Sequence, residues 1–231
     1  MKTIGLVGGM SWESTIPYYE IINSAVKERL GGLHSAKCLL YSVDFAELET
    51  CLRTGDWDKI CEILSDAGKR LARAGADMLV ICTNTMHKVA PQIEKNVGLP
   101  LLHIADATCD ALLADGLHTV ALLGTSYTME QDFYRERLTR RGLDVRVPDA
   151  ADRRMINDVI FNELCLGVLR PESADAFLRV IDEMAKRGCE GVILGCTEIG
   201  MLINQNRTPV KLYDTTRIHA LRAAQLALAE A

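Results

Sequence analysis

The sequence predicts an α/β protein built as two similar domains, each an open parallel sheet covered by helices. Three observations lead there. Short β-branched or leucine-rich runs alternate with longer amphipathic stretches. The runs are apolar at successive positions, as strands buried on both faces must be. The chain also echoes its own first half in its second. At 231 residues it has room for two domains of about 100 to 120 residues, each with its own core.

In order, the runs at 3–7, 37–43, 78–82, 119–123 and 192–194 read as strands, and the patterns at 57–74 and 174–187 read as helices. The internal repeat can be checked residue by residue. Thr3-Ile4-Gly5-Leu6-Val7-Gly8 parallels Thr119-Val120-Ala121-Leu122-Leu123-Gly124 at an offset of 116, each a strand ending in a glycine turn. The segment from Gly75 to Thr83 parallels that from Gly188 to Cys196 at an offset of 113: helix end, acidic residue, apolar strand, polar cluster. A third echo sets Leu99-Pro100 and Ile104-Ala105-Asp106 against Thr208-Pro209 and Leu212-Tyr213-Asp214. Thr83 and Cys196 are therefore expected at equivalent strand ends, and Thr125 at the position equivalent to Gly9. The expected domains are 1–99 with 211–231, carrying Thr83, and 100–210, carrying Cys196. Ligands of open parallel sheets sit beyond the carboxyl ends of the strands, so the active site is expected in a cleft between the two halves.

Composition narrows the function. With 48% hydrophobic and 25% charged residues and no run of 18 apolar residues, the chain reads as a soluble globular protein with no membrane partner. A net charge of −5 provides no basic field for a phosphate backbone, which excludes a nucleic-acid partner. The eight cysteines, at 38, 51, 61, 82, 109, 165, 189 and 196, form no C-x-x-C pair, which fits a reduced cytoplasm. The apolar stretch after Lys2 breaks at Gly8-Gly9, too early for a signal peptide. Five histidines, His34, His87, His103, His118 and His219, show no ligand spacing, so no metal is expected. The glycines from Gly5 to Gly9 lack G-x-G-x-x-G spacing and no Walker lysine follows, so no phosphate-bearing cofactor is expected.

The chemistry concentrates after two strands. Thr83-Asn84-Thr85-Met86-His87 and Cys196-Thr197-Glu198 are each expected to open a helix, where threonine and asparagine cap and free N–H groups receive a carboxylate. A cysteine at a helix N-terminus gains thiolate character, which singles out Cys196 among the eight.

Gly8-Gly9-Met10-Ser11, Asn84-Thr85-Met86-His87 and Gly195-Cys196-Thr197-Glu198 resemble the signatures of the aspartate/glutamate racemase family, which uses no pyridoxal phosphate, and most resemble its enterobacterial-type amino-acid racemases. The resemblance spans essentially the whole chain. It implies a homodimer of two-domain protomers that act without a cofactor on a small amino-acid substrate. It also implies a base from each domain on opposite faces of the substrate α-carbon, the second-domain cysteine serving the L enantiomer. Racemisation takes a proton from one face and returns one to the other, a task suited to two bases related by a twofold. The resemblance implies Thr83 and Cys196 as the catalytic pair. It implies Met10, Ser11, Asn84, Thr85, Thr125 and Thr197 as the substrate grip that stabilises the developing carbanion, with His87 and Glu198 supporting from behind.

Two departures stand out. The family's first cysteine falls on Thr83, whose hydroxyl is a far weaker acid than a thiol, and Cys82 lies one residue off, on the opposite face of a strand. His87, one helical turn on, is a candidate to assist that hydroxyl. The resemblance also implies an arginine after the second strand and a lysine in the second domain for a side-chain carboxylate. The matching stretches, Val43-Asp44-Phe45-Ala46-Glu47 and Glu163-Leu164-Cys165-Leu166-Gly167, hold neither; Arg53 is the nearest candidate. Either acidic substrates or a broader amino-acid range fits. Two alternatives stay open: a malonate-type decarboxylase with Cys196 as its sole proton donor, and a non-catalytic amino-acid-binding protein.

Overall fold

The computed structural model describes residues 1–229 and divides into two compact units, Met1–Ile104 with the segment that starts at His219, and Ala105–Ile218. In the first, β1 (Ile4–Gly8), α1 (Trp12–Leu30), β2 (Cys38–Ser42), α2 (Phe45–Thr54), α3 (Trp57–Arg73), β3 (Met78–Ile81), a 3-10 helix (Thr85–Val89), α4 (Ala90–Val97) and β4 (Leu101–Leu102) follow one another. The second continues through α5 (Ile104–Ala114), β5 (Thr119–Gly124), α6 (Ser126–Glu130), α7 (Asp132–Thr139), β6 (Asp144–Arg146), α8 (Ala150–Asn162), α9 (Pro171–Lys186), β7 (Gly191–Gly195), α10 (Ile199–Leu202) and β8 (Lys211–Asp214). The last helix, α11 (Thr215–Leu228), starts in the second unit and ends in the first.

The sheets have matching orders, β2-β1-β3-β4 and β6-β5-β7-β8, with every pairing parallel. Register carries the repeat to single residues. Val7 lies opposite Ile81 in the first sheet, and their counterparts Leu123 and Leu194 lie opposite each other in the second. The third echo needs correction. Leu79 pairs with Leu101 and Val192 with Leu212, so Leu101, not Ile104, is the counterpart of Leu212. Ile104-Ala105-Asp106 opens α5, whereas Leu212-Tyr213-Asp214 is strand. Because β4 bonds to β3 and β8 to β7, each unit edge also falls after those strands, a few residues beyond the expected 99/100 and 210/211.

The central strands β1, β3 and β7 are buried throughout, as a doubly covered parallel sheet requires. The edge strand β2 departs from that expectation: it has a neighbour on one side only, and Leu40 is half exposed. In the first unit Ile4, Leu6, Met78 and Val80 pack against Tyr18, Ile22 and Val26 of α1. Ala220, Ala223, Ala224 and Ala227 of α11 join them, a helical stripe small enough for close approach to the strands. The second core joins Ala121, Leu123, Val192 and Leu194 to Ile156 and Ile160 of α8 and Phe177, Val180, Ile181 and Met184 of α9. Each fully buried large aliphatic side chain stabilises its unit by about 1.5 to 3 kcal/mol.

Three of the five histidines come together inside the first unit. The rings of His87 and His103 lie 4.6 Å apart and those of His87 and His219 5.6 Å apart, all buried. His219 is bonded at both nitrogens, to the Tyr18 hydroxyl at Nδ1 (2.9 Å) and to the Leu102 carbonyl at Nε2 (2.9 Å). The carbonyl can only accept, so Nε2 carries the proton and Nδ1 accepts from Tyr18. Burial, then the neighbouring His87, pushes the His219 imidazole down to about 3. An unfolded histidine titrates near 6.5, so the unfolded chain binds the extra proton between those values. The stability from burying neutral His219 is therefore complete above pH ~6.5 and is lost as pH falls towards 3, at up to about 1.4 kcal/mol per pH unit. Urea midpoints measured from pH 7 to pH 4.5 should fall more steeply for the wild type than for His219→Gln; parallel curves would show that the ring is not held neutral.

Candidate active site

The first group forms where β1 and β3 end side by side. Cys82 N–H donates to the Val7 carbonyl at 2.9 Å, which keeps the two strand ends level. Beyond β1, Gly9 takes φ = 91°, and a Cβ there would stand 2.3 Å from the Val43 carbonyl oxygen, so only glycine fits the turn. Gly9 N–H donates to Thr15 Oγ1 (2.9 Å). Ser11 caps α1 by accepting from Ser14 N–H, while Ser14 and Thr15 donate their hydroxyls to the Ser11 carbonyl (3.2 and 2.9 Å). Met10 and Ser11, joined by a cis peptide, are both buried.

Beyond β3 the chain turns at Thr83, whose N–H returns to the Ile81 carbonyl (2.9 Å), and enters the 3-10 helix through Asn84. Thr83, Asn84 and Thr85 are buried polar residues at this strand end. Cys82 instead joins the hydrophobic core beneath, where burial pushes its thiol far above the ordinary range. Cys82, just past the end of β3, thus faces the core, while Thr83 occupies the polar turn. His87 reaches the Thr83 backbone. Its Nε2 accepts the Ile104 N–H (3.2 Å), so Nδ1 carries the proton and donates to the Thr83 carbonyl (2.7 Å). These bonds fix the Thr83 backbone; neither is to the hydroxyl.

The second group repeats the plan. At the ends of β5 and β7, Gly124 and Gly195 lie opposite each other, and a Cβ on Gly124 would stand 2.7 Å from the Gly195 carbonyl oxygen. Thr125 caps α6, accepting from Thr128 N–H (3.3 Å), and its hydroxyl lies 3.2 Å from that of Thr128. Cys196 Sγ donates to Glu198 Oε2 at 2.8 Å, and Thr197 Oγ1 donates to the same oxygen at 3.0 Å. All three residues are buried. The Thr197 carbonyl accepts from Thr216 Oγ1 (3.4 Å), and the Leu194 carbonyl from Thr215 Oγ1 (2.8 Å), so the start of α11 supports the loop.

The surroundings of Cys196 disfavour a resting thiolate. Neither cluster opens a regular α-helix: Thr85–Val89 is 3-10, and the helix after Cys196, α10, has four residues, too few for a useful dipole. Burial chiefly, then the Glu198 charge beside the sulfur, raises the Cys196 thiol well above its ordinary value. The thiol is thus held towards its neutral form, bonded to Glu198.

Met10, Ser11, Thr83, Asn84 and Thr85 thus gather at the carboxyl edge of one sheet, and Thr125, Cys196, Thr197 and Glu198 at that of the other. Arg53 does not join the first group; it lies on the exposed face of α2, with Nε 3.2 Å from Glu49 one turn earlier. Sequence reasoning missed the histidine cluster, because contacts between residues as far apart as His87 and His219 leave no local pattern.

The family model described as Asp/Glu/Hydantoin racemase matches residues 7–223. A Yersinia pestis protein provisionally described as an Asp/Glu racemase has a crystal structure 55% identical, aligning 99% of this chain with 100% of its own at a TM-score of 0.91. An aspartate racemase homologue from Pyrococcus horikoshii OT3 is 35% identical over 98% of this chain and 99% of its own, at a TM-score of 0.84. The broad specificity amino-acid racemase RacX of Bacillus subtilis is 21% identical over 222 residues, 92% of either chain. With the two matched sheets and the polar groups at their carboxyl edges, these likenesses establish that the chain belongs to the Asp/Glu/hydantoin racemase family.

Proposed function

We propose that the chain is a cofactor-independent amino-acid racemase that passes the substrate α-proton between Cys196 on one face and the Thr83 side on the other. The observation that carries this reading is the 2.8 Å bond from the Cys196 thiol to Glu198 at the end of β7. A buried neutral thiol is ready to donate a proton. To remove one it must first lose its own, and Glu198 is the acceptor already in contact. Glu198 takes the thiol proton, and the thiolate then removes the α-proton of an L substrate, becoming a thiol again. The Thr83 hydroxyl protonates the opposite face and regains its proton from solvent, to which Glu198 releases the one it took. Ser11, Asn84, Thr85, Thr125 and Thr197 supply short polar donors for the carboxylate, whose charge grows as the carbanion forms. His87 keeps Thr83 in place through its carbonyl.

The reading extends to a homodimer in the reducing cytoplasm. The free state of all eight cysteines supports the compartment. Supporting the dimer, α1 exposes Trp12, Ile16 and Tyr19 at helical spacing, each more than half accessible.

Exchange of the α-proton in deuterium oxide tests the roles. Cys196→Ser should lower exchange by about a thousandfold or more, and Glu198→Gln by about a hundredfold, whereas Cys82→Ala should leave it within a few-fold. Because Glu198 helps raise the thiol, its loss should also lower the pH at which the Cys196 thiolate absorbance appears, read as the difference from Cys196→Ser, while the rate falls. An unshifted ionisation would remove Glu198 from the thiol's surroundings, and loss of exchange in Cys82→Ala would reassign the thiol.

Unequal bases give a second test. The enantiomers are equally stable, so kcat/KM must be the same in both directions and any asymmetry appears in exchange. An L substrate should gain α-deuterium with retained configuration faster than D product forms, and Thr83→Cys should narrow the gap. Equal rates in the wild type, unchanged by Thr83→Ala, would contradict a weak second base.

A further inference from the structure

A cation stands beside the first polar group that neither the family signatures nor the strand-end pattern assigns. With three residues per turn, the 3-10 helix Thr85–Val89 places Thr85 and Lys88 on one face. Lys88 Nζ lies 3.9 Å from the centroid of the Trp57 ring, within the range of a strong cation–π contact. Trp57 is the first residue of α3, whose far end feeds β3 at the amino edge of the sheet, so Trp57 belongs to the same carboxyl edge as Thr83. The indole face fixes an ammonium that would otherwise sample many rotamers. Lys88 is half-buried, and the partial removal from water that lowers its pKa also weakens the screening between its charge and an arriving anion. Arg53, the other cation considered for this edge, is engaged on an exposed helix face.

We propose that Lys88, braced on Trp57, determines substrate specificity by receiving the distal carboxylate of a dicarboxylic amino acid whose α-carboxylate lies at Asn84 and Thr85. This rests on the racemase reading. An ammonium is a point charge on a flexible stem and lacks the fixed fork of a guanidinium. It can therefore follow a carboxylate through the one-methylene difference between aspartate and glutamate.

The test compares L-aspartate and L-glutamate with L-asparagine and L-alanine, by α-deuteration kinetics, in the wild type, Lys88→Met, Lys88→Arg and Trp57→Ala. Lys88→Met should lower kcat/KM for aspartate by about tenfold to a hundredfold, mainly through KM, and at least tenfold more than for asparagine. Lys88→Arg should recover part of the loss, favouring one acidic substrate over the other, and Trp57→Ala should give a smaller loss of the same kind. Equal losses for aspartate and asparagine, or an unaffected aspartate KM, would overturn the proposal. Calorimetry with L-aspartate separates it from the reading beneath it. If no amino acid is deuterated but aspartate binds the wild type and not Lys88→Met, the specificity role stands and the racemase reading falls. If aspartate binds both proteins equally, the role of Lys88 falls.

Discussion

In a parallel sheet every strand ends at the same edge, and every connection must leave from it. Here two central strands in each unit end at one level, β1 beside β3 and β5 beside β7, and the residues that follow are held side by side whatever their distance in sequence. Glycine makes this possible. At Gly9 the turn requires positive φ, and at Gly124 and Gly195 the strands approach too closely for side chains. The polar clusters need no elaborate support beyond this. Ser11 and Thr125 cap the helices after the first central strand of each sheet, while Thr83 and Cys196 occupy the turn after the second.

The same plan yields different chemistry because burial acts on different side chains. A threonine in such a turn stays neutral and is held by its backbone, here through the neutral imidazole of His87. A cysteine in the equivalent turn is driven further from ionisation by its dry surroundings and by the carboxylate it touches. Glu198 thus has two opposed effects. Its charge disfavours a thiolate beside it, while in the proposed mechanism the same side chain receives the thiol proton. A thiolate formed by transfer to Glu198 stands beside a neutral acid, without the repulsion that keeps the resting thiol protonated.

Much of this was legible in the sequence. β1, β3, β5 and β7 are runs of four to six apolar residues, and their repetition at nearly constant offset carried the two-sheet plan and the equivalence of Thr83 with Cys196. The strands β4, β6 and β8, of two to four residues, gave no such run; they are strands because a formed neighbour offers them hydrogen bonds. The surroundings of Cys196 are not legible in the sequence for a related reason. A Cys-Thr-Glu turn looks like the start of a helix, but the helix lasts four residues, and the dryness around Cys196 comes from residues distant in sequence, such as Ile156 and Ile160 of α8 and Phe177 and Ile181 of α9, in the same core. Lys88 and Trp57 are invisible as a pair until α3 and the 3-10 helix come together.

The division of α11 bears on how the molecule is made. The second unit is one continuous stretch, Ala105–Ile218, whose partners have all left the ribosome when its last residue does. The first unit is interrupted. Its alanine stripe at 220–227 and the Tyr18–His219 bond come from a segment synthesised only after the whole second unit. The amino-terminal sheet must therefore wait, with that face of β1 and β3 covered by α1 alone, through the synthesis of an entire other domain. For this fold the order of synthesis and the order of completion run in opposite directions.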